Sequence, residues 1–297
     1  MSINLRRYAD KRHEWIEQLS GGDRNSVSNQ LTDLSWDMAS YEIVATAVEL
    51  APKSADGFVK LNALPIELIQ RGFLASFMVY IRRLNDRNAD ANSFRRILLD
   101  MKRHGNLFTR ENMLAAEEFE YDYEKLERSP ARFISKLRHE QIDQLAGVSV
   151  QDRSPSDCIN KDVFENLRGK LDASTKKVAD YVNNFLAHSA GPHARGRSLV
   201  GSASISYEEL RNCHKCFCEV TGFLLGQVFY VGNPPMLAFP QYDQFECIDR
   251  PLVSVEDVPK LKEKWRALQD ESHTWSQWGI HEYQAEFGVY APGYSAS

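Results

Sequence analysis

Several things are scarce in this 297-residue chain, and each scarcity removes a class of protein. No apolar run approaches the roughly 20 residues that a membrane span needs, so membrane residence is not expected. The opening "MSINLRRYADKRHEW" lacks the apolar core of a signal peptide, which points to the cytoplasm. Cysteine occurs five times, an odd count, with Cys213, Cys216 and Cys218 crowded into one segment. A secreted disulfide framework does not look like that, and the thiols are expected to be reduced. Phosphate-cradling glycine patterns, HExxH and GxSxG are all missing, which argues against nucleotide hydrolases, zincins and serine hydrolases. The net charge of -5 leaves no general basic coat for nucleic acid, though it says nothing about local patches.

What is present repeats with a helical period. Leu31, Leu34, Met38, Tyr41, Val44 and Val48 recur at threes and fours and predict a buried stripe from about Ser28 to Leu50, ended by Pro52. A second helix is predicted from Pro65 through Ile66, Ile69, Phe73, Phe77, Tyr80, Ile81 and Leu84. Ser93 is placed to cap "FRRILLDMKRH" before Gly105, and Thr109 to cap "RENMLAAEEFEYDYEKLER". "FISKLRHEQIDQLA" keeps the same spacing, and the loop "GVSVQDRSPSD" after it is the best internal boundary, near 147–158. One or two helices follow over "DVFENLRGKLDASTKKVADYVNNFLAHS", and then "ISYEELRNCHKCFCEVTGFLLGQVF", with Ser206 and Glu209 spaced as a capping box.

The expected fold is therefore all-α: an antiparallel helical bundle over 28–230, preceded by an arm, 1–27. An irregular, aromatic-rich extension follows over 231–297, with one short helix from about Val255 to Gln269.

Chemistry concentrates where "YVNNFLAHSAGPHARGR" ends an amphipathic run. Val178, Tyr181, Phe185 and His188 continue one stripe, so His188 falls in the last helical turn and can close exposed carbonyls there. It can equally move a proton beside a phosphate held by Arg195 and Arg197. Upstream, "IRRLND" allows Arg82 or Arg83 to pair with Asp86 near a helix end. From Arg82 to Arg103 seven Lys or Arg face three Asp, a local excess that suits RNA phosphates, while Glu111 to Glu127 carries seven acids and only Lys125. "CHKCFC" offers half a zinc site without a second half, so core packing is the expected role and no metal or cofactor is predicted. The tail residues Trp275, Trp278, Tyr283, Phe287 and Tyr290 suit packing better than base stacking, because Glu282 and Glu286 lie among them.

"NNFLAHS" together with "IRRLNDRNADANSFRRIL" resembles the HEPN superfamily, in its abortive-infection U-like branch, over roughly 28–230. The resemblance implies a helical bundle that dimerises and a metal-independent endoribonuclease of a toxin or phage-defence system, or a degenerate relative that binds RNA without cutting. A cognate antitoxin is an implied partner. The family motif is an arginine, a polar residue, and a histidine separated from the arginine by four to six residues. His188 matches the histidine and Asn184 the polar position, while Tyr181, Val182 and Asn183 stand where the arginine belongs. Arg195, Arg197, Arg82 and Arg83 are the candidates to replace it and bind phosphate. The alternative reading is a non-enzymatic helical interaction module in which His188 is structural.

Overall fold

The computed structural model describes residues 3–57, 61–86, 88, 91–119, 121–122, 133–183, 205–232, 243, 246 and 255–275. The chain divides into two compact units, 1–238 and 239–297, each described by itself. Among the described residues the fold is all-α with no strands.

In the first unit the helices are α1 (Ile3–Ser20), α2 (Val27–Leu50), α3 (Ala63–Leu84), α4 (Phe94–Arg103), α5 (Arg110–Ala116), α6 (Phe133–Ala146), α7 (Lys161–Tyr181) and α8 (Tyr207–Phe223). Local chemistry starts several of them as the sequence suggests: Ser93 Oγ accepts from the Arg96 N–H, Thr109 Oγ1 from the Asn112 N–H, and Ser206 and Glu209 close a full capping box. Gly169 does not divide the 161–181 run, which is one helix. The segment 1–27 carries α1, whose Tyr8, Trp15 and Leu19 are fully buried. Trp15 stacks on Phe108 at 5.0 Å, and its indole N–H donates to Asp100 Oδ2 at 2.9 Å.

Cross-helix pairs fix an antiparallel order. Lys102 meets Glu165 and Arg95 meets Asp172, so α4 and α7 run oppositely. Lys170 meets Glu219 and Lys177 meets Glu209, so α7 and α8 do the same. Ser35 against His214 and Glu42 against Tyr207 set α2 along α8. Phe94 stacks on Phe217 at 5.3 Å and Phe108 lies 5.2 Å from Phe164, joining these layers in one core.

Two expectations are corrected. The helix capped by Thr109 does not continue through the acidic run: α5 ends at Ala116, Glu118 adopts φ 59, and the Phe119 N–H bonds back to the Leu114 carbonyl. Glu117 is not on a solvated face, because Arg138 holds its carboxylate in the interior at 2.7 and 2.8 Å. The stripe of α3 is buried only in its C-terminal half, at Phe77, Met78, Ile81 and Leu84; Ile69 is exposed. Helix α3 is also the one described segment long and apolar enough to cross a membrane by length and composition, with 17% of that window buried. Its apolar residues are spread by Glu67, Gln70 and Arg71, which is why no unbroken run announces it.

The loop after α6 is fastened to the bundle. Arg110 donates to Asp143 at 2.7 Å and to Asp157 at 3.1 Å, Arg153 also clasps Asp143, and the Ile159 N–H bonds to the Phe108 carbonyl. In the second unit α9 (Val258–Trp275) extends the predicted short helix. Val258, Leu261 and Trp265 recur along it at helical spacing and are exposed.

Candidate functional site

The C-terminal ends of α3 and α7 come together. Helix α3 ends at Asn85, whose backbone N–H bonds to the Ile81 and Arg82 carbonyls. The Asn85 side chain crosses to α7, donating to Thr175 Oγ1 at 2.8 Å and Asp172 Oδ1 at 3.3 Å. Asp172 is held from the other side by Arg95, at 2.7 and 2.9 Å, so three helices share one carboxylate. This junction aims the last turn of α3 at the end of α7, and there Arg82 Nε donates to Asn183 Oδ1 at 3.0 Å.

Around that contact lies a cleft of about 620 Å³ lined by Arg82, Asn85, Asp86, Lys176, Asp180 and Asn183. Its lining carries cations, carboxylates and amides, as a site for a polar ligand requires. Arg83 points elsewhere, donating to Asn25 Oδ1 at 2.5 Å. Neither arginine pairs with Asp86, correcting the ion pair expected from spacing: Asp86 Oδ1 accepts from the Asn88 N–H at 2.9 Å, tightening the turn that leaves α3. Thus Arg82, free of any carboxylate among the described residues, has its guanidinium on the Asn183 side chain. His188, Asn184, Arg195 and Arg197 lie outside the described residues, as do the tail residues beyond Trp275.

The basic excess between Arg82 and Arg103 is smaller in space than in sequence. Arg95 and Lys102 are committed to Asp172 and Glu165. Arg96 and Arg103 have no carboxylate partner among the described residues and lie with Lys11 and Asp100 along a groove of about 360 Å³ between α1 and α4.

The cysteine cluster belongs to the core. Cys213 and Cys216 are buried on α8 and donate to the Ser174 and Lys170 carbonyls of α7. Burial pushes the Cys213 and Cys218 thiols up to about 11, keeping them protonated and poorly nucleophilic. No group of three potential metal ligands occurs among the described residues. His214 is buried beside them, and desolvation lowers its pKa to about 4, so it is neutral at pH 7. Ser35 Oγ donates to the Leu31 carbonyl and lies 2.9 Å from His214 Nε2, within hydrogen-bond reach. The ring joins α2 to α8 from within.

Sequence reasoning did not find Arg110 and Arg138. Arg138 is fully buried, donating to Glu117 and to the Gln227 and Val228 carbonyls while its guanidinium lies 5.2 Å from the Tyr230 ring centre. Those carbonyls follow α8, where a π-helical turn, Leu224–Val228, leaves them for a side chain to satisfy. These two arginines are architectural; the sequence signal for them is weak, since a charge in an amphipathic run ordinarily marks the solvent face.

Compared with known families, curated proteins and solved structures, the chain matches none.

Proposed function

We propose that the protein is a HEPN-like, metal-independent endoribonuclease in which Arg82 supplies from α3 the guanidinium that the motif would otherwise carry on the helix leading to His188. The observation that carries this reading is the 3.0 Å hydrogen bond from Arg82 to Asn183, five residues before His188, beside a polar cleft. The chemistry is attack of a ribose 2'-hydroxyl on the adjacent phosphate, forming a 2',3'-cyclic phosphate and releasing the 5'-hydroxyl strand. His188 moves the proton and Arg82 stabilises the charge that grows on the phosphate oxygens. In this reading Asn184 orients the site, Arg195 and Arg197 hold flanking phosphates, and the cell setting is cytoplasmic toxin or phage-defence activity acting as a homodimer with a cognate antitoxin.

The test is cleavage of a cellular RNA pool in EDTA by the wild type and by His188→Ala. Cleavage that the substitution abolishes supports the reading, and a wild type that leaves all RNA intact opposes it. A second reading, a non-enzymatic interaction module, is favoured by the exposed apolar face of α3.

A further inference from the structure

Helix α9 of the second unit faces water along its first ten residues. A 3-10 turn, Val255–Asp257, leads into it, and Lys260 Nζ donates to Asp257 Oδ1 at 2.6 Å. Pro259 falls in the first turn, where its missing N–H leaves no helical bond unmade. Every residue from Val258 to Ala267 is exposed, the apolar ones included: Leu261 is 54% and Trp265 52% exposed. A helix of 18 residues that packs so little of itself is marginal in water, because helical stability in proteins comes mostly from covering one face. Its order calls for a surface that the described residues do not supply.

The placement of charge says which surface. Val258, Leu261 and Trp265, three and four apart, make one narrow stripe. Lys262 and Arg266, four apart, line one edge of it, Lys264 lines the other, and Glu263 takes the opposite face. Lys262, Lys264 and Arg266 have no carboxylate partner among the described residues, whereas Lys260, further round the helix, is tied to Asp257.

We infer that α9 lies flat on an anionic phospholipid surface. Its stripe enters about 5–10 Å, to the boundary between headgroups and acyl chains, where an indole is at home. Lys262, Lys264 and Arg266 bury their aliphatic stems beside the stripe and carry their charges up to the headgroup phosphates on both sides. Glu263, turned to water, stays clear of those phosphates. The charges recur in every turn, so the helix rests on the bilayer and does not cross it. A protein groove would desolvate both edges of the helix and would need an acid placed opposite each of the three cations. A bilayer presents phosphate along both edges at any register. A nucleic acid backbone would meet the cations but gives Val258 and Leu261 nothing apolar, and the stripe splits the cations into two rows.

This surface does not depend on RNA cleavage, and its test reads lipid binding by the full chain. In a density gradient the wild type should float with vesicles of phosphatidylcholine and phosphatidylglycerol. Leu261→Asp should stay at the bottom while unfolding in urea at the wild-type midpoint, since Leu261 is exposed. Lys262→Gln combined with Arg266→Gln should bind the same vesicles at least roughly tenfold more weakly. Vesicles with brominated acyl chains should quench the tryptophan fluorescence of the wild type more than that of Trp265→Phe. A wild type that does not float overturns the inference and leaves an acid-lined protein groove as the occupant. Flotation that Leu261→Asp leaves intact also overturns it, because the lipid contact then lies elsewhere in the chain.

Discussion

The clamp around α5, α6 and the end of α8 and the hairpin of α2 and α3 invert the usual relation between polarity and burial. In the clamp, Arg110 and Arg138 sit in the interior with Asp143, Asp157 and Glu117; on the hairpin, leucines face outward. Both regions carry ordinary amphipathic patterns, so the pattern marks a stripe without stating what covers it. A buried charge holds its place through several partners at once: removing one leaves another uncompensated. An exposed leucine holds its place only if something outside the monomer makes use of it.

The largest break in this comparison should come at Arg138. Arg138→Ala strands the buried Glu117 carboxylate and two carbonyls, and should cost about 3–5 kcal/mol in urea unfolding.

Next is pH, acting through His214. Its folded pKa, about 4, lies below the ordinary imidazole value of 6.5, so the unfolded chain takes up the proton first as pH falls. The stabilisation is fully present above about 6.5 and is lost on descent toward 4, by about 3 kcal/mol at most. Unfolding curves at pH 7 and 4.5 should show this loss, and His214→Gln should reduce it.

A smaller effect is expected at Ser93, fully buried, whose hydroxyl caps α4 and donates to the Asp86 carbonyl at 2.8 Å. Ser93→Ala should lower stability by about 1 kcal/mol. Smallest is Leu68→Ser on the exposed face of α3, which should leave the stability of the isolated monomer within ~0.5 kcal/mol of wild type, measured at dilutions where no dimer forms. A large loss at Leu68 together with none at Arg138 would reverse the comparison.

What was legible in the sequence was local. Ser93, Thr109, Ser206 and Glu209 announce helix starts because each cap and its partner lie three residues apart. The clamp was illegible because Arg138 meets partners 21, 89 and 90 residues away. No periodicity encodes such a meeting. Helix α5 is shorter than its sequence predicts for the same reason: Glu117 and Glu118 are sound helix formers, and a distant arginine together with the left-handed turn at Glu118 overrides them. At the candidate site Arg82 stood out by its charge. Its neighbour across 101 residues, Asn183, is uncharged, and nothing local in the sequence pairs the two.

The central claim is that Arg82 supplies the guanidinium absent from position 183, and returning the arginine to that position tests it most directly. The measurement is single-turnover RNA cleavage in EDTA by the wild type, Arg82→Ala, and Arg82→Ala combined with Asn183→Arg. The account predicts a loss of about 10²–10³-fold in Arg82→Ala and substantial recovery in the double variant. Cleavage by Arg82→Ala at the wild-type rate would contradict it.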